Sequence, residues 1–381
     1  MPKIGYLAID NPYDVKSFSG TGFYMFNALN GNQDFEVHLL GEAILTRKAL
    51  SCILIRAIKR IFKFSPLIHK KLKNLELLFF VRQVNIELRK TSIDFIIAPV
   101  CSSLVAKIAT NPSLPPIIFV TDATPSFLEE FYNWPIKPEA YVQEKIAIEA
   151  ATAVVYSSEF MANRAKLEYS TKNPVDNKFK VVPFGLNLEG IPEFIPDKNV
   201  SGKINLLFVG RDWKRKGGEL VISTFNLLKS QGHTVKLTII GSDPEEARLL
   251  EDVEIIPYIN KSVSEQKIKY FQILSEAHFL ILPTKADCTP MVIAEANAFG
   301  TPVITTNVGG IPTLIEIGTN GYLLNVDAKA EQYVDLIMRV INDREVFKEL
   351  CKTSRISFDT RLNWSAWSSE ILHICNNIHK S

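Results

Sequence analysis

Two carboxylates eight residues apart, Asp287 and Glu295, sit in the run "TKADCTPMVIAEANAFGTPV". Such a pair has two chemical uses: acid and base work on one atom, or a grip on two ends of one ligand. Local structure separates them. Pro290 suits the first turn of a helix and Thr289 is a capping type, so a helix is expected over about 290–299, closed by Gly300. Asp287 then lies in the loop before that helix and Glu295 more than one turn inside it. Carboxylates at different depths fit an extended ligand better than a shared reacting atom. The plainer alternative makes Asp287 part of an ordinary turn and Glu295 part of a solvated helix face.

Two further segments carry charge or open backbone. In "FVGRDWKRKGG" a strand ends at Gly210, and Arg211, Lys214, Arg215 and Lys216 follow within six residues. Gly217 and Gly218 then open a helix. Cations beside a helix N-terminus make a cradle for a diphosphate, a surface kept soluble being the other reading. In "SGTGFYMFNALN", Gly20 and Gly22 let amides approach a ligand. Met25 stands where a dinucleotide fingerprint needs its third glycine, so a tight turn before a helix explains this segment equally well.

The elements that must position these residues are legible as Ile- and Val-rich runs separated by helix-length segments. "KIGYLAI", "FEVHLL", "DFIIAPV", "PIIFVT", "TAVVYSS" and "FKVVPFG" form one series. "INLLFVG", "VKLTIIG", "VEIIPYI", "HFLILPT" and "TPVITT" form a second. Continuous apolar runs alternating with helices indicate parallel strands covered on both faces. The expected fold is therefore α/β, two doubly wound Rossmann-like domains facing a cleft. Their bounds read as 1–187 and 201–357, with a linker over 188–200 and a helical tail over 358–381 packing back toward the first domain. Ligands of such sheets bind beyond the carboxyl ends of the strands.

Composition removes several function classes. The chain has 381 residues and a net charge of +2, so no global field draws it to nucleic acid. Five cysteines, odd in number and far apart, fit a reducing cytosol rather than a disulfide framework or a structural zinc site. The six histidines show no ligand spacing and no D-x-D triplet occurs, so no metal site is expected. With no signal peptide and no apolar run of spanning length, the expectation is a cytoplasmic protein, at most peripheral to the inner face of a membrane.

Taken in order, "FVGR…RKGG", "PTKADCTPMVIAEANAFGTPVITTNVGGIPTLI" and "NGYLL" resemble the retaining glycosyltransferases of family four, which have the GT-B fold. The resemblance is most specific over 282–324 and looser in the first half, though "VVPFGLN" before the linker fits it. It implies a nucleotide-diphosphate sugar as donor, no cofactor, and transfer to a hydroxyl on a glycan or lipid-linked acceptor with retention and without a metal. It assigns Arg211 and Lys216 to the diphosphate, Glu295 to the ribose, and Asp287 to the donor sugar, at a position where Glu is usual. Amides of the stretch Thr289, Pro290, Met291 and Val292 would meet phosphate or sugar, and the base would lie against Tyr258 and Ile259. Gly20 and Gly22 would face the donor from the first domain. Thr121 and Asp122 stand where the family often has a histidine. Asp122 becomes a candidate active-site residue by bonding a sugar hydroxyl, with helix capping as its other role. A non-catalytic nucleotide-sugar-binding subunit and, more remotely, a nucleotide-sugar epimerase remain as rivals.

One segment adds a partner. Over 47–73 there are nine Lys or Arg residues and no acidic one. Within "LIRAIKRIFKF", Arg56, Lys59, Arg60 and Lys63 fall on one helical face, opposite Leu54, Ile58, Ile61 and Phe62. A basic amphipathic helix fits an anionic membrane surface, and equally a solvated face packed on its own domain.

Overall fold

The structure is a computed structural model describing residues 1–46, 54–55, 58, 66–169, 176–194, 198 and 202–380. The basic amphipathic stretch lies outside these residues except at 54, 55 and 58, and so does part of the expected linker.

All the apolar runs named above become strands. In the first half these are β1 (Lys3–Tyr6), β2 (Glu36–Leu39), β3 (Phe95–Pro99), β4 (Ile117–Thr121), β5 (Ala153–Tyr156) and β6 (Phe179–Val181). They pair in the order β2-β1-β3-β4-β5-β6, every neighbour parallel. The second half gives β7 (Ile204–Val209), β8 (Val235–Ile240), β9 (Val253–Ile256), β10 (Phe279–Leu282), β11 (Val303–Thr306) and β12 (Gly321–Leu324). Their order is β12-β11-β10-β7-β8-β9, again all parallel.

Burial follows position in the sheet. Every residue of β4, β5, β10 and β11 is buried, because helices cover both faces of a central parallel strand. The outer strands β2 and β9 are only half-buried and carry charge. Glu254 on β9 is paired by Lys236 and Lys269, and Glu36 on β2 by Lys3 and His38. Charges on an exposed strand discourage pairing with another chain.

The chain divides into two compact units. One holds Met1–Tyr156, Met161–Val182 and Ser368–Ser381; the other holds Ser157–Phe160 and Pro183–Trp367. The boundary at Trp367 falls inside a single helix, Trp364–Lys380. In the second unit the strand order is the dinucleotide-fold order, whose reversal lies between β7 and β10. The first unit has the other doubly wound order, with its reversal between β1 and β3. Open α/β sheets bind ligands at these points, past the carboxyl ends of the strands.

Candidate functional site

The loops after β7 and β10 flank the reversal point of the second sheet, and they carry the cation cluster and the carboxylate pair. Glycine lets them approach. Gly217 caps the helix Gly218–Ser230 with φ +78 and packs directly on the backbone of Pro283, where a Cβ would strike the carbonyl oxygen. Backbone bonds then lock the loops together. Lys285 donates its N–H to the Arg215 carbonyl at 2.8 Å, and the Thr284 hydroxyl reaches the same oxygen at 3.2 Å. From the other side, Gly309 and Gly310 pack on the carbonyls of Asp287 and Cys288, and the Gly310 N–H donates to the Asp287 carbonyl at 3.0 Å. The Asp287 loop is thus held between two glycine contacts.

Asp287 is 5% exposed and its Oδ2 accepts from Lys216 Nζ. Arg215 Nη1 lies 3.7 Å from the same oxygen and donates to the Ala286 carbonyl at 2.7 Å. Arg215 Nε bonds Asp212 at 3.0 Å. Arg215, rather than Arg211, therefore stands beside Asp287. Arg211 is exposed and has no ion pair among the described contacts. Sequence reasoning counted Arg215 among the cations without giving it a role, because nothing in the spacing says which arginine turns inward.

The helix carrying Glu295 runs Met291–Ala298. Thr289 does not cap it. Pro290 holds the cap position with no side-chain bond, while the Thr289 hydroxyl is 2.5 Å from Ser157 Oγ. Pro290 and Val292 are buried and Met291 half-buried, with the Met291 and Val292 amides at a helix start that has no preceding turn to supply carbonyls. The far end matches expectation. Gly300 has φ +60, its N–H bonds the Asn297 carbonyl at 2.9 Å, and the Thr301 N–H bonds the Ala296 carbonyl at 2.9 Å. This is a Schellman closure.

Glu295 is not on a solvated face: it is 4% exposed. Its Oε2 accepts from the hydroxyl of fully buried Tyr270, and its Oε1 accepts from Lys261 Nζ at 2.6 Å. Tyr270 sits on the helix Ser264–Glu276, and burial pushes its hydroxyl pKa well up, with the Glu295 charge adding to the effect. It stays a donor at any ordinary pH. Lys261 lies in the loop after β9, two residues past Ile259, which is half-buried, while Tyr258 is exposed. Neither Lys261 nor Tyr270 was legible as a site residue, since no motif links them to Glu295. Among the described residues no three His, Cys, Asp or Glu side chains gather as a metal site would need.

The remaining expected residues lie in the first unit. Gly20 caps the helix Thr21–Asn30 with φ +94, and the Gly22 carbonyl accepts from the Tyr6 hydroxyl at 3.2 Å, which ties this turn to the end of β1. Asp122 follows β4 directly and is half-buried, and it is not a helix cap. Thr124 caps Pro125–Tyr132 instead, its oxygen accepting from the Phe127 N–H at 3.3 Å. Asp122 acts electrostatically on Glu144, a buried acid on the helix Pro138–Ala150. Burial pushes Glu144 up to about 8, with Asp122 and Glu168 adding and a Ser102 hydrogen bond opposing.

Two doubly wound units of parallel strands, with a cation loop and a loop–helix carboxylate pair at the reversal point of the second, have the GT-B fold. The comparisons agree. The family model described as Glycosyl transferases group 1 matches residues 191–356. The chain is 27% identical over 249 residues to the capsular polysaccharide biosynthesis glycosyltransferase CapM of Staphylococcus aureus. That alignment covers 60% of this chain and 63% of the relative, so the chain spans under two thirds of its length. Among solved structures, a sucrose-phosphate synthase from Thermosynechococcus elongatus superposes with TM-score 0.68 at 18% identity, over 100% of both chains. Anabaena HepE in complex with UDP superposes with TM-score 0.62 at 14% identity, covering 98% of this chain and 100% of HepE. At these identities the likeness is one of fold.

Proposed function

We propose that the protein is a metal-independent, retaining glycosyltransferase that moves a sugar from a nucleotide-diphosphate sugar to a hydroxyl of a glycan or lipid-linked acceptor. The observation that carries this reading is the pair of buried carboxylates, Asp287 and Glu295, at the carboxyl edge of β10, each met by a lysine. Glu295 offers two oxygens to a ribose diol. Lys216, Arg215 and Arg211 supply fixed positive charge where a departing diphosphate gathers negative charge. Asp287 would exchange its bond to Lys216 for a hydroxyl of the donor sugar.

The step balances without a protein base. The bond from the anomeric carbon to the diphosphate oxygen breaks, and a bond to the acceptor oxygen forms on the same face. The acceptor proton passes to the departing phosphate oxygen. The name of the Staphylococcus aureus relative supports a glycan as acceptor, and the UDP bound to HepE makes uridine nucleotides the first probes.

Glu295→Ala should weaken nucleotide diphosphate binding roughly a hundredfold, since two bonds to a charged group are lost. Titration calorimetry with UDP, ADP and GDP reads this, and unchanged affinity would remove the ribose assignment. Turnover of a labelled donor panel against glycan and lipid acceptors tests the transfer itself. Binding without turnover would favour a non-catalytic nucleotide-sugar-binding subunit.

The 47–73 segment is proposed to hold the protein at an anionic membrane, on the strength of its nine cations. Among the described residues no helix is long and apolar enough to cross a membrane. The protein should sediment with vesicles of anionic phospholipid and remain in the supernatant with neutral ones, the difference fading as salt is raised. Equal recovery from both supernatants would discard the membrane partner.

A further inference from the structure

The surroundings of Glu295 hold more than the carboxylate. A carboxylate offers four lone-pair positions, two on each oxygen. Tyr270 takes one on Oε2 and Lys261 takes one on Oε1. Among the described residues nothing else bonds either oxygen, so one position on each remains, which is the arrangement that two adjacent hydroxyls of a ribose require. The two donors also differ in depth. Tyr270 is fully buried and binds Oε2 from within the unit, whereas the Lys261 side chain is 36% exposed and binds Oε1 from the solvent side. The Lys261 ammonium further lies 4.5 Å from the Tyr270 ring centre, a cation–π contact that ties the two donors to each other.

We infer that Lys261 and Tyr270 are positioning residues that set Glu295 for a vicinal diol, and that they thereby determine the preference of this site for ribonucleotides. The inference rests on the ribose role of Glu295 proposed above. Without Lys261 or Tyr270 the carboxylate is free to rotate or to turn a second oxygen away from the ligand. The consequence falls on the part of the affinity that comes from the two hydroxyls. Contacts to base and phosphate are untouched.

The test compares UDP with 2′,3′-dideoxy-UDP, or the corresponding adenine or guanine pair if calorimetry selects another base. It is run on the wild type, Lys261→Met, Lys261→Arg and Tyr270→Phe. The wild type should prefer the diol, and Lys261→Met and Tyr270→Phe should each lower affinity for the ribonucleotide about tenfold. Neither should change affinity for the dideoxy compound. Lys261→Arg, which keeps a charged donor, should restore much of the preference. A merely structural role would weaken both ligands together, and that result overturns the inference. So does a variant that binds the ribonucleotide as well as or better than the wild type, which would make Lys261 a competitor of the ligand. If the wild type itself binds both nucleotides equally, the ribose role of Glu295 fails first. If it prefers the diol and both variants keep that preference, the positioning role alone fails.

Discussion

Among single residues, the carboxyl groups divide by what meets them. Asp287 and Glu295 are both buried, yet each accepts from a cation, whereas Glu144 is 5% exposed and its Oε1 has no hydrogen-bond partner among the described residues. A buried acid without a cation favours its neutral form, and the groups facing it confirm the direction. Asp122, Glu168, Cys101, Tyr156 and Tyr169 offer it no positive charge, and Arg164 is spent on Glu130 and Glu168. Its pKa of about 8 in the folded chain lies above the ordinary 4.5. The folded state therefore holds a proton that the unfolded state has released, and stability falls as pH rises from about 4.5 to about 8. Glu144→Gln should flatten this fall, read as a smaller loss of Tm between about pH 5 and about pH 8. An unchanged slope would show that another group sets it.

The loops and helices explain which site residues could be read from sequence. The Asp287 loop and the Glu295 helix announce themselves by proline, glycine and spacing, and both stand where expected. Only the cap was misjudged, because the Thr289 hydroxyl finds Ser157, 132 residues away. Capping preference is local, and a tertiary partner outbids it. The same limit hid Tyr270, whose link to Glu295 crosses from one helix to another. Strand β12, within "NGYLL", is not legible as a strand: it has four residues, opens on Gly321, and is only half-buried beyond it. At this scale the glycine contacts can be tested. Gly310→Ala would push a Cβ into the Cys288 carbonyl, a backbone atom with no easy retreat. It should cost about 2 kcal/mol or more and lower Tm by several degrees, with affinity for the proposed nucleotide ligand falling because the Asp287 loop moves. A variant with wild-type Tm and affinity would mean that the loop tolerates displacement.

Across the whole molecule, the two series of apolar runs specified two parallel sheets, since continuous burial leaves few other arrangements. The order within each sheet was not legible, because runs of similar composition do not say which neighbour they pair with. That order matters, for it puts the β7 and β10 loops side by side in the second unit. The helix Trp364–Lys380 carries a different consequence. Its residues from Ser368 onward count with the first unit, where Ser368 Oγ accepts from Asn32 Nδ2 at 3.2 Å, 336 positions earlier in the chain. On a ribosome, then, the first unit begins to form early but lacks part of its own surface until residues past Ser368 have been made. Its completion waits on the second unit rather than preceding it, and a chain cut at the junction between units should yield a first half more exposed to proteases and chaperones than its own sheet would suggest.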